Sequence, residues 1–220
     1  MNKADTVLIG GMEFQFLANR GVYWPERGIL FVADTHFGKE ATFRKHGIPV
    51  PRGSTHGTLS SIAFMLANCS ANRLVLLGDM FHARSSLSED ILDSLDAFFA
   101  DHSELQFTLV PGNHDRHLGK LPVRWKVETV APGHLLGQVA IAHSPADLPS
   151  GECQVMLCGH IHPAVRFQSR TETLGKLPCF WLTDGKLVLP AIGKFTGTHE
   201  VRPNPKDRMW AIIEKQIVEV

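Results

Sequence analysis

Gly28-Ile29-Leu30-Phe31-Val32-Ala33-Asp34-Thr35-His36 is an apolar run that stops at an acid and an imidazole two positions apart. A short continuous apolar run predicts a strand buried on both faces. The same pattern recurs four times. Residues 74–77 are followed by Gly78-Asp79, and residues 107–110 by Pro111 and then Gly112-Asn113-His114-Asp115. Residues 139–142 end at His143, and residues 155–158 end at Gly159-His160-Ile161-His162. Between these runs lie helical patterns. Leu59, Ile62, Ala63, Leu66 and Cys69 share one face. Ser86 and Glu89 have capping-box spacing ahead of Ile91, Leu92, Leu95, Phe98 and Phe99. The first half therefore reads β-α-β-α-β, and further short strands at 187–189 and 209–218 make the second half mostly β. This is an α/β layered sandwich, predicted as one domain over residues 1–220. The Pro-containing segments 47–53 and 201–207 read as surface loops within it.

Composition narrows the function. With 44% hydrophobic and 20% charged residues in 220, disorder and coiled coil are excluded. Lys plus Arg equals Asp plus Glu, 22 each, so a broad basic nucleic-acid surface is excluded and any such contact must be local. No run approaches the ~20 apolar residues of a membrane span. Residues 1–11 lack a basic region followed by an apolar core, so no signal peptide is expected. Cys69, Cys153, Cys158 and Cys179 form no C-x-x-C pair and are expected as buried reduced thiols, which predicts a cytoplasmic protein.

Each polar string follows a strand, the position at which α/β sheets bind ligands. Alternation along an extended chain would aim Asp34 and His36 to one side, and His160 and His162 likewise. With Asp79, Asn113 and His143 they make seven oxygen or nitrogen donors without a thiolate. That is too many for one ion with open positions and suits two ions bridged by Asp79. The mixed set fits Mn, Fe or Zn better than Ca²⁺ or a thiolate-type zinc site. Two such ions hold a phosphate and activate a water for in-line attack. Gly78, Gly112 and Gly159 precede ligands where the chain must turn off a strand.

The five strings, in this order, resemble the calcineurin-like metallophosphoesterases. The resemblance implies a four-layer α-β-β-α sandwich, two mixed sheets flanked by helices, with a dinuclear metal centre. It implies that Asp34, His36, Asp79 and His162 bind one metal, and Asp79, Asn113, His143 and His160 the other. His114 is implied as the catalytic group that protonates the leaving oxygen or steadies the phosphate. Many members carry an acid three positions after the bridging Asp; here that position is His82, so His82 or Asp115 is expected to support His114.

Phe37-Gly38-Lys39, residues 47–51, Asp79-Met80-Phe81-His82 and residues 189–197 (Leu-Pro-Ala-Ile-Gly-Lys-Phe-Thr-Gly) resemble the bacterial ligase-associated DNA damage response endonucleases. That resemblance implies a Mn²⁺-dependent phosphodiesterase acting on DNA, linked with an ATP-dependent DNA ligase and a helicase-related protein. Lys39 and Arg116, which follow ligand strings, are the better candidates for phosphate contact, with Arg44 and Arg84 behind them. Trp125, Trp181, Phe195 and Trp210 are candidates for base stacking, against core packing for most of them. Competing readings are a small-nucleotide phosphodiesterase, a phosphomonoesterase and a catalytically silent scaffold of the same fold.

Overall fold

The computed structural model describes residues 5–51, 53–83, 86–117, 119–168 and 173–220. The first sheet contains β1 (Asp5–Ile9), β2 (Met12–Leu17), β3 (Gly21–Trp24), β4 (Ile29–Ala33), β5 (Arg73–Leu77), β6 (Gln106–Val110) and β7 (Val127–Thr129), adjacent in chain order. Pairing is antiparallel from β1 to β4 and parallel from β4 to β7. Helices α1 (Lys39–Lys45) and α2 (Ser54–Asn68) connect β4 to β5, and α3 (Glu89–Asp101) connects β5 to β6.

The second sheet is built from β8 (His134–Leu136), β9 (Val139–Ile141), β10 (Val155–Cys158), β11 (Pro163–Gln168), β12 (Thr173–Thr183), β13 (Lys186–Val188), β14 (His199–Glu200), β15 (Arg208–Ile213) and β16 (Gln216–Glu219). Its order is β14-β11-β12-β13-β10-β9-β8, with β15 pairing β12 and β16. It too mixes parallel and antiparallel pairs.

The layering follows from the period of two along β4. Ile29, Phe31 and Ala33 face the second sheet, in a core with Val75, Leu77, Val139, Ile141, Leu157 and Leu187. Leu30 and Val32 face the helices, packing with Leu59, Ile62, Leu95 and Phe99. A strand buried on both faces must be apolar throughout, and β4 is. Helices α2 and α3 lie on this outer face, and α1 contacts α2. The outer side of the second sheet is a smaller cluster of Ala140, Ala142, Met156, Cys158 and Val188, packed by Leu135, Cys153, Ile161 and Trp181.

Two local readings change. Helix α3 begins after Ser88, not at a Ser86 cap. The Ser86 hydroxyl instead meets Thr42 Oγ1 at 3.1 Å and accepts from the Ala83 amide at 3.1 Å, tying α1 to the loop after β5. The three-stranded β1–β3 extension was not foreseen, although Met12, Phe14 and Phe16 alternate behind a Gly10-Gly11 turn and all face the inner core.

Candidate metal centre

The five polar strings converge at the carboxyl ends of β4, β5, β6, β9 and β10, but not through extended alternation. Strands β4 and β10 end at Ala33 and Cys158. Asp34, His36, Asp79, His160 and His162 all have φ between 43° and 71°. A left-handed backbone costs a side-chain-bearing residue about 1–3 kcal/mol, and such strain collects at functional sites. Here it is held by hydrogen bonds between the strings. The His36 amide donates to Asp79 O at 2.9 Å, and Phe37 N and Thr35 Oγ1 donate to Met80 O at 2.8 and 2.9 Å. The His160 amide donates to Asp34 Oδ2 at 2.8 Å, and the His114 amide to Asp79 Oδ1 at 3.0 Å. Gly78, with φ of 78°, admits His143: a Cβ there would collide with the imidazole. Gly159 likewise lets the carboxylate of Asp34 approach the backbone.

The side chains form two groups, one of Asp34, His36 and His162, the other of Asp79, His143 and His160. In the first, His162 Nε2 lies 3.6 Å from Asp34 Oδ2. In the second, His160 Nδ1 lies 3.0 Å and Asn113 Oδ1 2.9 Å from His143 Nε2. Asp79 faces both groups with different atoms: Oδ2 is 3.9 Å from His36 Nε2, and Oδ1 is 3.6 Å from His143 Nε2.

The donors fit a cation. Asp34 Oδ1, both nitrogens of His36 and His162 Nε2 are buried without a hydrogen-bond partner. Buried polar atoms are ordinarily paired, and unpaired donor atoms from three residues of one group suit a cation. Burial, aided by Lys39 and the neighbouring imidazoles, lowers the His36 pKa to about 2. Burial, followed by repulsion from His143, also lowers that of His160. Both rings are thus neutral near pH 7, the form that ligates.

His114 stands beside the groups with its Nε2 3.9 Å from Asp79 Oδ2 and its ring partly exposed. Its Nδ1 lies 2.7 Å from the backbone carbonyl of His82, and the two rings stack at 5.1 Å. The His82 ring, with His36 and His114, makes a third histidine cluster. Burial, then Lys39 and His114, lowers its pKa to about 4. The Asp115 carboxylate does not turn to His114; it accepts the amides of Gly112, Met80 and Phe81 at 2.9 to 3.2 Å. Burial raises its pKa against those bonds.

Lys39 lies over the Phe43 ring at 5.8 Å, near enough to Asp79 for the carboxylate to act on its ammonium. Arg116 is exposed on the 3₁₀ turn after the third string, and Arg84 lies outside the described residues. Of the aromatic candidates, Trp125 and Trp210 are buried and Trp181 Nε1 donates to Asp207 at 3.0 Å. Phe195 alone of the four is exposed, at 46%. The motif reading missed one contact to the centre, from Gly197 O to His162 Nδ1 at 3.2 Å. The resemblance over residues 189–197 was its only sequence signal.

Residues 28–164 match the calcineurin-like phosphoesterase family. The chain belongs to that family, and its two donor groups agree with a metal-dependent phosphoesterase. A solved structure of the nuclease MPE of Pseudomonas putida superposes with a TM-score of 0.85 at 30% identity, covering 99% of this chain and 100% of that one. AQ665, a protein of unknown function from Aquifex aeolicus, gives 0.41 at 19% identity over 66% of this chain and 82% of its own. A Vps29 variant from Entamoeba histolytica gives 0.34 at 12% identity over 87% and 96%. No curated protein matches. Among the described residues, no helix is long and apolar enough to cross a membrane.

Proposed function

We propose that this protein is a dinuclear metal-dependent phosphodiesterase that cleaves DNA, acting in repair as a single domain over residues 1–220. The observation that carries the reading is Asp79, whose two oxygens face separate donor groups. Asp34, His36 and His162 would hold one ion with Asp79; Asn113, His143 and His160 would hold the other. When bound, such ions neutralise phosphate charge and make a water acidic enough to attack phosphorus at neutral pH. Four histidines among seven ligands favour Mn²⁺, Fe or Zn²⁺ over Mg²⁺, and of these Mn²⁺ is the one that the endonuclease resemblance implies.

The chain's own part in the reaction falls to His114. As water attacks phosphorus and the bond to the leaving oxygen breaks, Nε2 of His114 delivers a proton to that oxygen. The His82 carbonyl accepts from Nδ1–H, which turns Nε2 toward the centre. Lys39 and Arg116 would contact phosphate at the rim. The DNA substrate is supported by the likeness to the Pseudomonas putida nuclease. An ATP-dependent DNA ligase and a helicase-related protein are the working partners implied by the endonuclease resemblance. Four free cysteines, Cys158 and Cys179 buried and Cys69 and Cys153 only half-buried, support a reducing cytoplasm.

The test is to strip the protein of metal, add back Mn²⁺, Mg²⁺, Zn²⁺ or Fe²⁺ singly, and follow single-stranded and duplex DNA. Bis-p-nitrophenyl phosphate should turn over faster than p-nitrophenyl phosphate. The reverse preference, with DNA left intact, would make it a phosphomonoesterase.

A further inference from the structure

The segment after β13 crosses from the second sheet to the first beside the metal centre. Leu189 N bonds Cys158 O at 2.8 Å, Ala191 bridges Ala33, and the amides of Ile192 and Gly193 reach Ala33 O and Asp34 O at 3.0 and 3.1 Å. At its far end Gly197 O meets the ring of His162. The residues between, Lys194 to Thr196, leave the centre and wall an open cleft of about 390 Å³.

Two cations and no acid are among the described residues lining this cleft. Arg20 is partly buried, with Nη1 donating to Ala191 O at 2.9 Å, which ties its guanidinium to the crossing segment. Lys194 runs over Gly57 of α2, where a Cβ would strike the end of its side chain. Glycine inside a helix costs about 1 kcal/mol relative to Ala, and here it leaves room for the lysine. Phe195 shows its ring to solvent from a backbone with φ of 60°, a conformation costly for an aromatic residue. Thr196 Oγ1 is buried without a hydrogen-bond partner.

We infer that this cleft is a subsite for the nucleic-acid strand flanking the scissile phosphate. Arg20 and Lys194 take a neighbouring phosphate and Phe195 stacks on a base. The inference rests on the DNA reading above and supplies the local positive site that a chain of zero net charge requires.

The variants Lys194→Ala, Phe195→Gly, which keeps the positive φ, and Gly57→Ala, which displaces Lys194 through the helix, test it. Binding is read by anisotropy of a short fluorescein-labelled single-stranded oligonucleotide in EDTA, and turnover by DNA cleavage and bis-p-nitrophenyl phosphate hydrolysis in Mn²⁺. Phe195→Gly should raise Kd for DNA about 5- to 150-fold, the range of one base–aromatic stack. Lys194→Ala should weaken binding and flatten the slope of log K against log salt by about 0.7. Gly57→Ala should shift Kd in the same direction while leaving α2 at least as stable. The aryl diester carries no flanking nucleotide, so its kcat/KM should hold within about twofold. Unchanged Kd and salt slope would overturn the inference. So would an equal fall on the aryl diester, which would mean that the loop acts only through His162. Wild-type protein that hydrolyses the aryl diester but neither binds nor cuts DNA would instead overturn the DNA reading itself.

Discussion

The ring of His114 is pinned by Nδ1 to the backbone carbonyl of His82 at 2.7 Å, so its other nitrogen turns toward Asp79. A general acid held in this way should matter most when the leaving oxygen is basic. His114→Ala should keep its metal and lose about 10²–10⁴-fold in kcat on DNA. The loss should shrink on bis-p-nitrophenyl phosphate, whose leaving group needs little protonation. An equal loss on both substrates would assign His114 to orienting the phosphate.

Metal preference follows from the donor atoms. Mg²⁺ prefers oxygen and keeps its waters, a poor match to a donor set with four imidazoles. With trace metals removed, Mn²⁺ should restore at least about tenfold more activity than Mg²⁺. Equal rates in Mg²⁺ alone would contradict the proposed ligand set.

The buried His36 makes metal-free stability depend on pH. Its pKa falls from 6.5 to about 2 on folding, so only the unfolded chain takes up the proton between those values. Stability from this group is therefore complete above pH 6.5 and declines as the pH drops toward 2, by about 1–2 kcal/mol at pH 5. Urea midpoints at pH 7 and pH 5 should show this loss in wild type and a smaller one in His36→Gln. Identical losses would mean that His36 is not held neutral.

The strings of donors were legible because each stands directly after a buried apolar run, and Asp79 could be singled out from them. The geometry that gathers them was not. Left-handed backbones at Asp34, His36 and Asp79 are fixed by hydrogen bonds from distant strings, and local alternation carries no trace of those bonds. The same distance hid Arg20, which meets Ala191 across 171 positions. Helix α3 starts at Glu89, after Ser88, because tertiary contacts draw Ser86 toward Thr42, overriding a good capping spacing.

Gly78 tests how tightly the centre is built. A methyl group there must fit a φ of 78° and displace the imidazole of His143. Gly78→Ala should cost at least about 1 kcal/mol of stability and lower metal content. Thermal unfolding and elemental analysis would check both; an unchanged midpoint with full metal would contradict the observed approach.

The proposed mechanism turns on Asp79, which would join two ion sites into one reacting centre. Its most direct test is to titrate metal-free wild type and Asp79→Ala with Mn²⁺, counting bound ions by elemental analysis while following DNA cleavage. Wild type should bind two ions per chain, and cleavage should rise only as the second site fills. Asp79→Ala should stay folded, bind less metal and leave DNA intact. Full cleavage at one ion per chain, or normal metal content and turnover in Asp79→Ala, would contradict the dinuclear account.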